Sequence, residues 1–585
     1  MKITSSLFHA HVKCPTKCWL RFTGDPATGN AYAEWAQGQN ESYRDAAIKR
    51  LRSEGPQDEC AVAPAQEDLQ TSKWRLGFDV VATFQNLETR VHAVERVPSE
   101  GRGKPAQFIP TRFVFTNKLG KDEKLLLAFD AFVLSEILGR GIGLGKIIHG
   151  DDHSTLKVKT SSLAGEVRKR LDKVATLLSS PAPPDLVLNR HCVECEFQSR
   201  CRKITIEKDD LSLLSTMSEK ERQKLRAKGI FTVTQLSYTF RPRRRPKRLH
   251  DKREKYHHAL KALAIREKKI HIVGTPELKI EGTPVYLDVE GLPDRDFYYL
   301  IGVRIGNGES AAQHSLWADS VEDEGKIWRE FLGILETVER PVLIHYGSYE
   351  TTFLKRMCER FGKPSKALTS LVNPIEQRVN VLSFLFGQIY FPCFSNGLKD
   401  IGAIAGAKWH SQNPSGIQSL VWRYNWEVTR SNDLKRALVA YNEDDCGALC
   451  LLTSELKQIG KEAMSRPDVD FAYAPKQNAT IQGREIHGIL ERILVSAHVT
   501  YQRSRIHIRK KQHDQPQIAP RRKRKSPIHS RNLPANRGNI VRVRQKRNCP
   551  STQPNNWSPS TNQRCIRCLI LSLRKTAAKK YSLHL

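Results

Sequence analysis

Acidic residues at three places along the chain have the spacing needed for metal-dependent hydrolysis. Asp288 and Glu290 are two positions apart on an apolar strand, so both carboxylates project from one face. Glu350 begins a helix directly after a strand, and Tyr441 and Asp445 are four positions apart on one helix face. Burying such like charges together is costly unless a cation binds them. Four converging carboxylates would hold two divalent ions for phosphodiester cleavage, and the tyrosine hydroxyl would orient the attacking water.

Cysteines form the second group with metal-binding potential. Cys192, Cys195 and Cys201 are closely spaced, and Cys14 and Cys18 lie far upstream. The chain has 13 cysteines, an odd number, and its N-terminus lacks the apolar stretch of an export signal. These features favour a reducing compartment and a four-thiolate metal site that joins the two ends of one domain, rather than a disulfide framework.

The acidic motifs resemble those of a known group of nucleases. The segment from Leu287 to Gly291 (LDVEG) resembles the D-x-E motif of DEDD-type 3′–5′ exonucleases, and Tyr441-x3-Asp445 resembles their third motif in its tyrosine form. The nearest resemblance is to the YprB-type ribonuclease-H-like domain found in RecB-family nucleases, over about residues 1–490. It implies a two-ion site for Mg²⁺ or Mn²⁺.

The second motif departs from the pattern of this group. It usually supplies Asp, whereas the candidate here is Glu350, with Asn380 as another point of departure. The additional methylene of Glu would displace an ion by roughly an ångström, which is enough to affect the rate.

The cysteine arrangement resembles that of iron–sulfur nucleases of the RecB family, including CRISPR-associated and AddB-type members. The resemblance implies a 4Fe-4S cluster, with zinc as the alternative. It implies Cys14 as the fourth ligand beside Cys192, Cys195 and Cys201, with Cys18 as the alternative.

The same family cleaves nucleic acid with a PD-(D/E)XK core, which is eroded in this chain. Asp79 would supply the first acid, but the strand at 108–115 lacks the acid-x-Lys pair that holds metal and activates water. We therefore interpret the N-terminal unit as a structural or DNA-binding relic.

Hydrophobic periodicity predicts the elements that position these residues and gives an α/β fold class. In the N-terminal unit it predicts helices at 31–52, 124–138 and 163–178 and strands at 78–84, 88–96 and 108–115. In the second unit it predicts strands at 284–290, 297–305, 315–318 and 342–345 and helices at 323–338, 349–361 and 433–456. Trp422, Tyr424 and Trp426 alternate with period two, which is typical of a half-buried strand or loop.

We predict five regions. They are a degenerate PD-(D/E)XK-like unit with the cysteine cluster (1–205), a helix–hairpin–helix-like and basic linker (206–250), a ribonuclease-H-like domain (280–460), a helical extension (461–500) and a disordered basic tail (501–585). A plain two-helix linker fits residues 206–240 equally well.

The charge distribution points to nucleic acid as the partner. The chain carries a net charge of +33, and residues 501–585 hold 22 Lys and Arg residues but a single acid. The residues expected to contact phosphates are Arg243, Arg244, Arg245, Lys247, Arg248, Arg521, Arg522, Lys523, Arg524 and Lys525. No apolar run reaches the ~18 residues of a membrane span, and we expect a cytoplasmic protein.

The sequence thus favours a metal-dependent 3′–5′ exonuclease acting on DNA or RNA. The alternative is a non-catalytic nucleic-acid-binding module with a decayed nuclease core. The sequence identifies no helicase or repair partner.

Overall fold

The computed structural model describes residues 1–54, 59–69, 71, 74–98, 106–241, 256–308, 310–362, 378–411, 415–472 and 481–502. Two units are distinguished, Met1–Glu491 and Arg492–Leu585. Of the second, the structure describes residues 492–502, which form the end of a helix.

A seven-stranded mixed sheet organises the N-terminal part of the chain. Its strands are β1 (Ile3–Thr4), β2 (Cys60–Val62), β3 (Leu76–Phe84), β4 (Leu87–Val97), β5 (Gln107–Val114), β6 (Gly145–His149) and β7 (Ser154–Val158). They pair in the order β2-β3-β4-β5-β6-β7, with β1 added in parallel to β4. The helices are α1 (Ser5–Lys13), α2 (Pro15–Phe22), α3 (Ala31–Glu54), α4 (Lys121–Leu138), α5 (Ala164–Leu178) and α6 (Gln198–Glu207). The predicted strands and helices of this region are confirmed to within a few residues.

A short helical segment follows the N-terminal sheet. It contains α7 (Glu219–Arg226), α8 (Val233–Ser237) and α9 (His258–Glu267). Capping boxes start α7 and α8, because the Ser218 and Thr232 side chains accept from the backbone N–H three residues on. Gly229 turns the chain between them with a φ of 80°. Residues 206–240 therefore form a helix pair, as the sequence predicts.

The rest of the first unit is a second α/β layer with a small accessory sheet. The strands are β8 (Ile270–Ile272), β9 (Thr283–Leu292), β10 (Phe297–Ile305), β11 (Ala312–Trp317), β12 (Pro341–His345), β13 (Val379–Asn380), β14 (Ile389–Tyr390) and β15 (Val469–Phe471). The helices are α10 (Glu324–Thr337), α11 (Tyr349–Phe361), α12 (Val381–Leu385), α13 (Leu398–Ile404), α14 (Gly416–Thr429) and α15 (Asn432–Glu462), and α16 (Ile481–Gln502) follows.

The main sheet of this layer places the acidic strand at its centre. The strand order is β11-β10-β9-β12-β13, with β9 antiparallel to β10 and parallel to β12. The long helix α15 packs across β9 and β10. Gly302 on β10 permits this approach, because a Cβ there would lie 1.9 Å from Asn442 Oδ1 on α15. The predicted strands and helices of this layer are confirmed.

Two sequence expectations change. Trp422, Tyr424 and Trp426 lie on helix α14, not on a strand or loop. Their period-two spacing places them around the helix, where Trp426 is buried and the other two are half-buried. The predicted helical extension at 461–500 contains the strand β15 as well as part of α16.

The turn between β9 and β10 docks on the N-terminal sheet unit. Asp294 accepts hydrogen bonds from the backbone N–H groups of Asn117 and Lys118, each at 2.8 Å. The guanidinium of Arg295 lies 2.9 Å from an Asp151 carboxylate oxygen. Trp35 of α3 stacks on Tyr424 of α14 with ring centroids 4.8 Å apart. The N-terminal part is therefore held against the sheet that carries the acids.

Candidate active site

Three carboxylates meet where the central strand faces the long helix. The ligand oxygens of Asp288 and Glu290 on β9 and of Asp445 on α15 all lie within 4.8 Å of one another. The strand pleat places Asp288 and Glu290 on one face, and α15 covers that face. The sequence predicts these three residues as metal ligands, and the structure brings them together. Such an all-oxygen group suits Mg²⁺ or Mn²⁺.

Each of the three carboxylates is held by a neutral hydrogen-bond donor that sequence reasoning missed. The Asn442 amide donates to Asp288 at 2.6 Å, the Ser419 hydroxyl to Glu290 at 2.9 Å and the Trp409 indole N–H to Asp445 at 2.8 Å. These donors orient the oxygens without neutralising them, which is the role of outer-sphere residues around metal ligands. Of these three donors, only Asn442 lies within an acidic motif, the Tyr441-x3-Asp445 segment. Trp409 and Ser419 are remote from the acidic motifs in the sequence.

Burial and mutual repulsion make this site costly without a bound cation. Burial, followed by repulsion from Asp445, raises the pKa of Asp288 well above its ordinary value. The same two causes raise the pKa of Glu290 to about 8. Burial also raises the pKa of Asp445, against the opposing attraction of Lys399. A divalent ion favours the ionised forms and would displace the protons that these groups otherwise retain.

Tyr441 and Lys399 lie beside Asp445. Tyr441 is buried, and burial followed by repulsion from Glu290 raises its pKa. The Lys399 ammonium, at the start of α13, donates a hydrogen bond to the Tyr441 hydroxyl oxygen and lies 3.4 Å from Asp445 Oδ2. The sequence predicts Tyr441 at this place but offers no reason to select Lys399, which is separated from every acidic motif.

Glu350 lies near the three carboxylates but is not part of their group. It is buried in the first turn of α11, close enough for its charge to raise the pKa of Asp288. Its Oε2 is 3.5 Å from Nδ1 of buried His345, and neither atom makes a hydrogen bond. Asn380, the other departure point, caps α12 by accepting from Ser383 N–H at 3.0 Å. Glu350 thus remains the candidate for a fourth ligand, because its charge acts on Asp288 while the Asn380 side chain is engaged in capping.

The four predicted cysteine ligands line one pocket. Cys14 lies between α1 and α2, Cys192 and Cys195 precede α6, and Cys201 lies on it. Burial, followed by repulsion from Cys195, Cys14 and Cys192, raises the pKa of Cys201 to about 11. Cys18, the alternative fourth ligand, is fully buried among apolar side chains and does not line this pocket.

The strand on which the acid-x-Lys pair of a PD-(D/E)XK core was expected, β5, carries an arginine that forms an ion pair. Arg112 of β5 is bound through two nitrogens to the buried carboxylate of Asp130 on α4, with one contact at 2.7 Å. Thr89 donates to the same carboxylate. Asp79 is 3.5 Å from Arg90. In the described part of 1–205, these acids do not join a metal-binding group of carboxylate, imidazole and thiol ligands.

The predicted nucleic-acid contacts of the basic arms lie outside the described residues. These are Arg243, Arg244, Arg245, Lys247 and Arg248 in the linker and Arg521, Arg522, Lys523, Arg524 and Lys525 in the tail. In the described part of the chain, no helix has both the length and the apolar character required to cross a membrane.

Comparison with known proteins covers the acidic site. A search of curated proteins finds no match to this chain. Residues 285–457 match the model of a family, RNase_H_2, described as belonging to the RNase H superfamily. This range contains Asp288, Glu290, Glu350, Tyr441 and Asp445. The chain therefore carries an RNase H-like domain at residues 285–457.

Proposed function

We propose that this protein is a metal-dependent 3′–5′ exonuclease that hydrolyses DNA or RNA. The observation that carries the proposal is the group of three carboxylates whose oxygens lie within 4.8 Å of one another on an RNase H-like domain. Asp288, Glu290 and Asp445 would bind one Mg²⁺ or Mn²⁺. Asp288 and Glu350 would share the second ion of a two-ion site.

In this proposal the residues of the chain hold and orient the reactants. Bound divalent ions would activate a water molecule and stabilise the leaving 3′ oxygen of the phosphodiester. Asn442, Ser419 and Trp409 hold the carboxylates that would bind the ions. The Tyr441 hydroxyl, beside Asp445, orients the attacking water toward phosphorus. Cleavage of the bond to the 3′ oxygen releases a nucleoside 5′-monophosphate from the 3′ end.

The experiment is release of nucleotides from a 3′-labelled strand, with DNA and RNA tested separately. Wild type should release labelled mononucleotide when Mg²⁺ or Mn²⁺ is present, and Asp445→Asn should reduce the rate by about two to three orders of magnitude. Asp433→Asn is the matched control, because Asp433 lies on the same helix with an 85% exposed side chain. Equal release by wild type and Asp445→Asn would refute the assignment.

The same assay separates the alternative function. A non-catalytic nucleic-acid-binding module would bind the labelled strand in a salt-sensitive manner and leave it intact. The ion pair at the eroded first core and the departure at Glu350 favour that alternative. Removal of the basic segments at 243–248 and 521–525 should weaken binding and lower its salt dependence under either function.

We propose further that Cys14, Cys192, Cys195 and Cys201 bind a 4Fe-4S cluster, with zinc as the alternative. Four thiols around one pocket are a suitable donor set for either. Iron and zinc content of protein purified without oxygen tests the assignment.

A further inference from the structure

Lys399 brings a positive charge into the carboxylate site from a separate helix. Its ammonium donates to the Tyr441 hydroxyl oxygen, lies 3.4 Å from Asp445 Oδ2 and is 4.2 Å from the centre of the Tyr441 ring. The side chain is largely shielded from solvent, with 30% of its surface exposed. Lys399 therefore faces two of the residues proposed for the chemistry.

The segment that delivers Lys399 is anchored by buried contacts. Lys261 of α9, only 1% exposed, donates to Asn396 Oδ1 at 2.9 Å and to the Ser395 carbonyl oxygen at 3.4 Å. The Tyr346 hydroxyl donates to the Asn396 carbonyl oxygen. Helix α13 begins at Leu398, directly after this segment. Contacts of Lys261 and Tyr346 with residues 395–396 therefore hold the backbone next to Lys399, in addition to the contacts of Lys399 itself.

Lys399 also determines what the Tyr441 hydroxyl can do. Because the ammonium occupies a lone pair of the hydroxyl oxygen, the O–H of Tyr441 is left to donate to Asp445, its side-chain hydrogen-bond partner. A neighbouring ammonium at the same time opposes a second cation at Asp445, since like charges at this distance repel.

We propose that Lys399 is a built-in cation of the carboxylate site, which aligns Tyr441 and Asp445 for hydrolysis and weakens binding of the divalent ion. The proposal rests on the proposed exonuclease function for its rate effect only. Lys399 is a positioning residue in this scheme, because it acts through Tyr441 and Asp445. Loss of its charge should move ion affinity and rate in opposite directions.

The experiment measures Mn²⁺ affinity by electron paramagnetic resonance without substrate, at a pH high enough that the affinity of each protein no longer rises with pH, and the hydrolysis rate at saturating Mn²⁺. The high pH removes competition from protons, because Lys399 also lowers the pKa of Asp288, Glu290 and Asp445. Lys399→Met should bind Mn²⁺ about tenfold more tightly, because one repelling charge is removed. Its rate should fall by about two orders of magnitude. A residue that merely supports the fold would weaken both ion binding and rate. Unchanged or weaker Mn²⁺ binding by the variant would overturn the proposal.

Lys461→Met is the matched control for charge. Lys461 is exposed near the end of α15, about 24 Å along the helix from Asp445. Salt screens charges at that distance, so this variant should bind Mn²⁺ and cleave as wild type does.

Two further variants separate charge from geometry and keep the test decisive if Lys399→Met fails to fold. Lys399→Gln removes the charge but keeps a donor for Tyr441, so it should bind Mn²⁺ more tightly and retain more activity than Lys399→Met. Lys399→Arg keeps the charge and should bind Mn²⁺ as wild type does. Wild-type affinity in Lys399→Gln would refute the built-in cation. Because Mn²⁺ binding requires no substrate, a wild type without nuclease activity would reject the proposed function and leave the affinity test valid.

Discussion

Replacing Glu290 with Gln should remove a pH-dependent loss of stability from the metal-free protein. Burial and repulsion from Asp445 raise the pKa of Glu290 from 4.5 to about 8 in the folded state. Between these two values the folded protein binds more protons than the unfolded chain. Stability therefore falls as the pH rises from about 4.5 to about 8 and changes no further through this group above that range.

The magnitude follows from the size of the shift. One pKa unit corresponds to about 1.4 kcal/mol, so ionised Glu290 lowers the free energy of unfolding by on the order of 5 kcal/mol at high pH. For a domain of about 200 residues this corresponds to roughly 10–20 °C in Tm. The glutamine side chain of the Glu290→Gln variant carries no charge and can still accept the hydrogen bond from Ser419. The variant should match wild type near pH 4.5 and exceed it increasingly toward pH 8.

The assay is thermal unfolding of both proteins across this pH range, first with a chelator and then with Mg²⁺. Asp288 and Asp445 contribute to the pH dependence of both proteins, so the quantity to read is the difference between them. Saturating Mg²⁺ should raise the Tm of wild type at high pH more than that of the variant. Glu330→Gln, at an exposed position of α10, serves as the control. A wild-type-to-variant difference that stays constant with pH would refute the reasoning.

Further predictions concern Asn442 of the carboxylate site, the Arg112–Asp130 ion pair and the cysteine pocket. Asn442→Ala should leave Asp288 without its donor and reduce Mn²⁺ affinity by about 10–100-fold, measured by titration calorimetry. Arg112→Met should leave the buried Asp130 carboxylate without its cation and lower the free energy of unfolding in urea by about 3–5 kcal/mol. Adding Asp130→Leu should restore most of the lost stability. Cys201→Ser should lower the metal content of the purified protein, whereas Cys18→Ser should leave it unchanged.

The elements that carry the acids were predictable because their signals are local. The apolar residues around Asp288 and Glu290 are typical of a strand that is covered on both faces. The four-residue spacing of Tyr441 and Asp445 places both on one face of a helix. The change from strand to helix before Glu350 was predictable in the same way. The apolar run at 342–345 indicates the strand, and Ser348 after it marks the start of the helix.

The surroundings of the site were not predictable because they depend on contacts between distant segments. Trp409, Ser419 and Lys399 come from three separate segments and meet the acids only through tertiary packing. Trp422 and Trp426 illustrate a different limit. Two-residue alternation is typical of strands, but over five residues it also fits a helix whose two sides are both packed.

The small sheet β14-β8-β15 has a practical consequence for shortened forms of this protein. The family match ends at residue 457 and begins at 285, so it includes β14 but neither of the other two strands. Ile270 and Val469 from the missing strands share a hydrophobic cluster with Ile344 of β12 and Leu449 of α15. A fragment cut at the match would expose that cluster and leave β14 unpaired. Expression boundaries that preserve the site should therefore start before α9 and end after β15.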